Sequence, residues 1–421
     1  MFDHMPTTLE AVWAFATALA LAWVLVPVTE RLAHRIGAID EPRERSLHRF
    51  ATPKLGGLAI LAGVLAAGVI WLPWDAETRA ILAGALAITA VGVIDDVYDL
   101  HPVIKLLGQT GAVIVPVAAG VTVENFTFPF VGRVTPGTVD LLGLPGSGAI
   151  DLGDVGTVIG IVAVINVINL IDGVDGLAAG VCVISGAALA VIALSLDRNA
   201  AGVLAAITAG AALGFLRHGF PPASSFMGDT GSNLLGYMLG VVAVQGALKT
   251  NAVVALFLPL IVLAVPIFDT GFVVAKRLKY RQPIYRADSW HIHHRLANIG
   301  FSERRTLLYL YGWALVMAGM GLALRFVPYS DNAGNLDAAW TAVIAACGLL
   351  AIAASVYLVF VLEILKLRRF RLRQLSGVRG LAGKPEPAEQ QIDAGVAAEL
   401  ETGSFPAVDP ETGEFEAVKP P

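Results

Sequence analysis

Residues 155–177 read VGTVIGIVAVINVINLIDGVDGL. Up to Ile171 the run holds no ionisable side chain, and its polar members are Thr157, Asn166 and Asn169. A helix that crosses a bilayer needs about 20 mostly apolar residues. This run approaches that length and then stops at Asp172 and Asp175. Asn166, Asn169, Asp172 and Asp175 are spaced by three, so on a helix they form one stripe. Such a stripe is untenable against lipid and has to line a polar cleft. The segment reads as a membrane span with a functional end.

Similar runs lie at 8–28, 55–73, 80–94, 106–122, 176–196, 201–216, 232–249, 252–275, 306–327 and 338–362, which with 155–171 makes eleven. The composition agrees: 421 residues, 56% hydrophobic and 15% charged, with a mean hydropathy of +0.70. Soluble domains carry about 25% charged residues, so a soluble enzyme or binding module is excluded. The expected fold is an all-α polytopic membrane protein of about eleven transmembrane helices. The first run is not a signal peptide, because no basic residue precedes it and its apolar stretch is too long. Cys182 and Cys347 lie inside apolar runs and read as small buried hydrophobes, not a disulfide framework or zinc site.

Basic residues set the orientation. With the amino terminus outside, the cytoplasmic segments 29–54, 95–105, 172–175, 217–231, 276–305 and everything after 362 hold 24 of the 29 Lys and Arg. That is the positive-inside pattern. The outside segment 123–154 alternates Val121, Val123, Phe126, Phe128 and Phe130, as a small β-hairpin would. The formal net charge of −5 hides two parts: residues 381–421 sum to −7 and the rest to +2. The expected organisation is a membrane-embedded transferase domain over 1–375 and an acidic, Pro/Gly-rich disordered cytoplasmic tail over 376–421. Within that tail ETGSFPAV at 401–408 recurs as ETGEFEAV at 411–418.

Ionisable residues at membrane depth mark function, and here they gather. Asp95, Asp96 and Asp99 end the third span in DDVYDL, and on a helix Asp95 or Asp96 falls beside Asp99. Asp172 and Asp175 end the fifth, Asp229 sits in FMGDTGS, and His291, His293 and His294 sit in HIHHRL within the largest cytoplasmic loop. All four clusters reach one membrane face. Carboxylates brought together repel, and a divalent cation holds them ionised; oxygen-only ligands favour magnesium or manganese. Three of the four have a plainer reading: a solvated helix flank for Asp95 and Asp96, turn residues for Asp172 and Asp175, a solvated loop or zinc site for the histidines. Asp269, inside the 252–275 run, suits a helix-pairing role equally well.

Together DDVYDL, NVINLIDGVDGL, FMGDTGS and HIHHRL, in this order, resemble the polyprenyl-phosphate N-acetylhexosamine-1-phosphate transferase family, the membrane enzymes that include MraY and the WecA/TagO-like branch. The resemblance runs from about Gly37 to Gly312. The H-x-H-H-R-L form of the histidine motif is that of the WecA/TagO-like branch, whereas MraY-like members carry a triple histidine.

The resemblance implies transfer of N-acetylhexosamine-1-phosphate, GlcNAc-1-phosphate foremost, from a UDP-sugar to polyprenyl phosphate, with release of UMP. It implies a magnesium cofactor, replaceable by manganese, in a multi-pass cell-membrane protein with its site on the cytoplasmic face, and a homodimer. It makes Asp229 a magnesium ligand, Phe226 a uracil-stacking ring and Asp175 an acceptor from the uracil imide. Asp172 and Asn169 fall near ribose and diphosphate, Asp95 and Asp96 at the lipid phosphate, one of them as base. His291, His293, His294 and Arg295 fall on the diphosphate or sugar, and Arg49 and Lys54 in the basic entry segment. One position departs: members commonly carry Asn seven residues before the stacking Phe, and here that residue is Gly219, beside His218. The rival readings are an MraY-like phospho-MurNAc-pentapeptide transferase and a secondary transporter. A transporter suits eleven spans, but it binds near the bilayer midplane at repeated, broken helices, and no such repeat is present. Nucleic-acid binding has no support in the sequence.

Overall fold

The computed structural model describes residues 7–41, 51–123, 126–128, 132–134, 151–248, 302–328 and 337–353, with 263–264, 267–268, 270–271, 274, 277 and 355 besides. They fall into two units, Met1–Phe268 with Leu307–Leu349, and Asp269–Thr306 with Leu350–Pro421. Few residues of the second unit are described, and the tail and the Asp269 position lie outside the described residues.

The apolar runs are helices. In chain order they are α1 (Thr8–Ile36), α2 (Gly56–Trp71), α3 (Ala76–Tyr98), α4 (Pro102–Ala118), α5 (Leu152–Ile171), α6 (Leu177–Ser195), α7 (Asn199–Gly219) and α8 (Gly228–Ala243). A π-helical turn, Val244–Leu248, extends α8, and α9 (Glu303–Phe326) and α10 (Ala338–Ala353) follow. Among the described residues six helices, α1, α3, α5, α6, α7 and α9, are long and apolar enough to cross a membrane, and α2, α4 and α10 are shorter apolar helices. The chain is a mostly helical, polytopic membrane protein. The 252–275 run lies largely outside the described residues. Among the described residues there are also two short antiparallel pairs: β1 (Ile39–Asp40) with β2 (Thr52–Pro53), and β3 (Phe126–Phe128) with β4 (Gly132–Val134). The second pair is the hairpin expected within 123–154.

Local chemistry sets the helix ends. Thr7 and Glu10 form a capping box at the start of α1, and Asp151 and Asp154 another at α5. Asp75 accepts from Thr78 N at 2.7 Å to open α3, and Pro102 supplies the first residue of α4. Small residues bring the helices close, as van der Waals packing in a bilayer requires. Ala14, Ala18 and Ala22 of α1 are fully buried. A Cβ on Gly210 or Gly214 of α7 would stand 2.3 Å from the carbonyl oxygen of Phe15 or Leu19. The buried Tyr237 of α8 donates to Ile81 O of α3 at 2.9 Å.

The crossing of α3 and α8 positions the acidic residues. A Cβ on Gly92 would lie 2.5 Å from Thr230 Cα and 2.6 Å from Asp229 O, so the two backbones touch there. One turn further along α3, Asp96 reaches the start of α8, which has no side-chain cap of its own. Its Oδ1 accepts from Asp229 N at 3.0 Å, and its Oδ2 from Thr230 N at 2.9 Å and Thr230 Oγ1 at 2.6 Å. These are the second and third residues of the helix, whose N–H groups an N-cap side chain ordinarily takes. Asp96 is thus an N-cap supplied by another helix.

Two outcomes follow for detergent-purified protein. Asp96→Ala leaves three donors unsatisfied and lowers stability by about 2 kcal/mol, at the upper end of cap removals, read as a fall in Tm. Gly92→Val overpacks the crossing at about 1–3 kcal/mol. An unchanged Tm in either variant would contradict the crossing described.

Candidate active site

The ends of four helices meet at one end of the bundle: the close of α3 with Asp95 and Asp96, the start of α4 with Lys105, the close of α5 with Asn169, and the start of α8 with Asp229 and Ser232. Lys105 lies at the centre. Its Nζ is 2.8 Å from Asp95 Oδ2 and 3.0 Å from Asp229 Oδ1, and it donates to Asn169 Oδ1 at 3.3 Å. Asn169 Nδ2 in turn donates to Asp229 Oδ1 and, at 2.9 Å, to Ser232 Oγ. Asp95 is buried, and its Oδ1 accepts from Leu100 N at 2.8 Å, closing the turn into α4.

One helical turn deeper lies a second layer. Lys105 is followed four residues on by Gln109, Asn169 is preceded by Asn166, and Asp229 is followed by Asn233. Asn166 Nδ2 donates to Gln109 Oε1 at 2.8 Å, and Gln109 Nε2 donates to Asn233 Oδ1 at 3.3 Å. Gln109 and Asn233 are fully buried, and among the described residues nothing pairs with Asn233 Nδ2. This amide layer ties α4, α5 and α8 together beneath the charged one.

The glycines of DGVDG redirect the stripe read from the sequence. α5 ends at Ile171, Asp172 is its C-cap, and Gly176 takes a left-handed φ of 75°. Asp172 stays at the site: burial first, then the negative charges of Asp229, Asp96 and Asp175, push its carboxyl well above the usual carboxylate range. Asp175 leaves the helical face and accepts from Ala223 N at 3.0 Å, fixing the loop before α8. Tyr311 of α9 donates to Gly176 O at 2.6 Å and holds the turn from the other side. α3 ends at Tyr98, and Asp99 is its exposed C-cap, with a left-handed φ of 53° and its N–H on Asp95 O at 2.9 Å.

Phe226 is carried by that loop. Its N–H donates to Pro53 O at 2.8 Å and its carbonyl accepts from Gly56 N at 2.9 Å, while Met227 O accepts from Gly57 N at 3.1 Å. The double glycine, uninformative in the sequence, is where the uncapped start of α2 rests on this loop; a Cβ on Gly57 would lie 2.2 Å from Gly231 N. Lys54 turns its ammonium to Asp40 at 3.3 Å, and its carbonyl packs against Gly228. Gly219 is covered by the ring of Phe215, whose Cε1 would be 2.5 Å from a Cβ there. His218 pairs with Trp23 O at 3.2 Å. Arg49, His291, His293, His294 and Arg295 lie outside the described residues.

Lys105, Gln109, Asn233 and Thr230 were not singled out by the sequence reading. Lys105 entered it only as one of the cytoplasmic basic residues, although it is the only charged residue of α4. That isolation was the available signal.

Among the described residues no three His, Cys, Asp or Glu side chains form a metal cage. The donor set nonetheless suits a hard cation. Oxygens of Asp95, Asp229 and Asn169 already converge on one positive group, the Lys105 ammonium. Magnesium typically takes one or two carboxylates and completes its shell with water and substrate phosphates.

Residues 78–247 match the description Glycosyl transferase family 4. A Bacillus subtilis protein, "Probable undecaprenyl-phosphate N-acetylglucosaminyl 1-phosphate transferase", is 39% identical over 327 residues, covering 75% of this chain and 86% of that one. A "Decaprenyl-phosphate N-acetylglucosaminephosphotransferase" of Mycolicibacterium smegmatis is 36% identical over 347 residues, covering 75% and 81%. A "Phospho-N-acetylmuramoyl-pentapeptide-transferase" of Desulforudis audaxviator is 34% identical over 351 residues, covering 76% and 98%. With such identity over three quarters of its length, and its acidic helix ends inside the matched region, the chain belongs to glycosyl transferase family 4, the superfamily of MraY and WecA.

Proposed function

We propose that the protein transfers N-acetylhexosamine-1-phosphate, GlcNAc-1-phosphate in the first instance, from a UDP-sugar to a polyprenyl phosphate on the cytoplasmic face of the cell membrane. The observation that carries this reading is the gathering of Asp95, Asp229 and Asn169 around one ammonium, with Asp96 on the backbone of Asp229, in a chain whose relatives carry GlcNAc-1-phosphate transferase names. A phosphate oxygen of the lipid attacks the β-phosphorus of the UDP-sugar. The bond from that phosphorus to the bridging oxygen breaks, and UMP leaves with the oxygen. The product is a polyprenyl-diphospho-sugar, the lipid-linked start of a cell-envelope polysaccharide.

The Lys105 ammonium is already taken up by the carboxylates of Asp95 and Asp229, so two phosphate substrates arriving there call for a further cation. Asp229, Asp95 and Asn169 are the residues placed to hold magnesium, with manganese as a substitute. Bound there, the metal neutralises charge on the transferring phosphoryl group. The chain's own side chains orient. Asp95 has one oxygen on Leu100 N and the other on Lys105, which suits holding and desolvating the lipid phosphate better than taking a proton. The second pKa of a phosphate monoester is about 6, so the acceptor is already mostly dianionic at neutral pH. Asp96 serves by fixing Asp229. Asp175 holds the loop that carries Phe226, which supports their reading as uracil acceptor and uracil-stacking ring. The histidine motif and Arg295 complete the proposed sugar and diphosphate contacts, Arg49 and Lys54 the basic entry, and 1–375 the transferase domain with a non-catalytic tail at 376–421.

The direct test is UMP release by purified protein with polyprenyl phosphate, magnesium and a panel of UDP-sugars. UDP-GlcNAc should be used, and no release with any sugar would defeat the reading. Asp229→Asn should abolish release and the metal dependence of UDP-sugar binding; titrations that still respond to magnesium would remove Asp229 as a ligand. Asp95→Asn should lower turnover and leave the acid limb of the pH–rate profile in place. Loss of that limb would make Asp95 the base, a role that contributes about 10²–10⁴-fold.

A further inference from the structure

An ammonium has three N–H bonds, and those of Lys105 face three protein oxygens: Asp95 Oδ2 at 2.8 Å, Asp229 Oδ1 at 3.0 Å and Asn169 Oδ1 at 3.3 Å. With all three donors engaged, Lys105 has none left for a phosphate. Nor can it leave by itself, because the carboxylates of Asp95 and Asp229 would then face each other without a counter-charge. Only another cation on the same oxygens can release it.

We propose that Lys105 and the divalent cation are alternative occupants of one oxygen cradle, and that metal entry frees the Lys105 ammonium for the anionic substrate. The proposal rests on the phosphotransfer reading above. The two cations exclude each other on distance and charge: magnesium takes its oxygens at about 2.0–2.1 Å, and an ammonium on those same oxygens would be held against a double positive charge.

The direction of release is also set. One turn below Lys105, Gln109 is fully buried and engaged by Asn166 and Asn233, so the space inward is filled. On the other side lie the exposed Pro102, Val103 and Ile104, and the stem is rooted in the first turn of α4. The freed ammonium moves outward, away from the filled amide layer. The exchange makes binding ordered, since the lysine becomes a phosphate ligand only after the metal has replaced it.

Two measurements on the full-length chain in detergent, without nucleotide, test this. In Mn2+ titrations read by electron paramagnetic resonance, Lys105→Met and Lys105→Gln should bind the metal at least about tenfold more tightly than wild type, equivalent to about 1.4 kcal/mol. In the wild type, saturating Mg2+ should raise the rate at which a small amine-reactive reagent modifies Lys105, followed by peptide mass spectrometry. Equal or weaker Mn2+ binding in both variants, no binding by any form, or a Lys105 reactivity that does not rise with Mg2+ would overturn the proposal. The labelling arm decides alone if neither variant folds. Neither readout uses UMP release, so failure of the exchange is distinguishable from failure of the transferase reading.

Discussion

A helix that begins at the membrane needs its first N–H groups satisfied by protein, and α8 begins without a cap of its own. Asp96 of α3 meets that need, and the rest of the site follows from it. Since Asp96 binds the backbone of Asp229 and Thr230, the position of Asp229 is set by a different helix and not by the loop that precedes it. The partial positive charge of the helix start also offsets some of the repulsion between Asp96 and Asp229. Close approach at Gly92 is what lets Asp96 reach.

Charge at the site is tolerated in layers. The outer layer, Asp95, Lys105, Asn169 and Asp229, combines ion pairs with amide donors. The inner layer, Gln109, Asn166 and Asn233, is neutral. The offsets of four, three and four residues between layers follow from helix direction: α4 and α8 run inward from the site, and α5 runs toward it. A neutral hydrogen-bonded layer at depth costs less desolvation than charges there, yet it still fixes the rotation of three helices about their axes. Rotating any one of them would break both layers at once.

How much of this could be read from the sequence depended on whether the signal was local. Apolar length marked the described helices, and alternation around Phe126 marked the β3–β4 hairpin. The acidic motifs marked the site because each holds several polar residues in a short stretch. Gln109 and Asn233 were silent because each stands alone, with partners 57 and 124 residues away along the chain, and Lys105 because it is a single charge whose further partners, Asn169 and Asp229, lie in other motifs. Helical spacing misplaced Asp175 because it assumes the helix continues; the chain leaves α5 before Gly176. Gly57 and Gly92 carried no visible meaning, since an absent side chain matters only once the facing backbone is known.

Gly219 shows how a departure from the family's pattern can be a packing matter. The ring of Phe215 is fully enclosed, and it lies where a Cβ on Gly219 would be 2.5 Å from one edge and a Cβ on Gly56 2.3 Å from another. Two glycines therefore accommodate one ring. A side chain at 219 would require that ring to move, and the start of α2, which rests on the carbonyls of Phe226 and Met227, would be disturbed with it. His218, the neighbour best placed to substitute for a missing amide, is held by Trp23 O on α1. Around position 219 the chain thus packs a buried aromatic ring, a glycine and the loop backbone, with Asp175 as the polar side chain anchored to that loop.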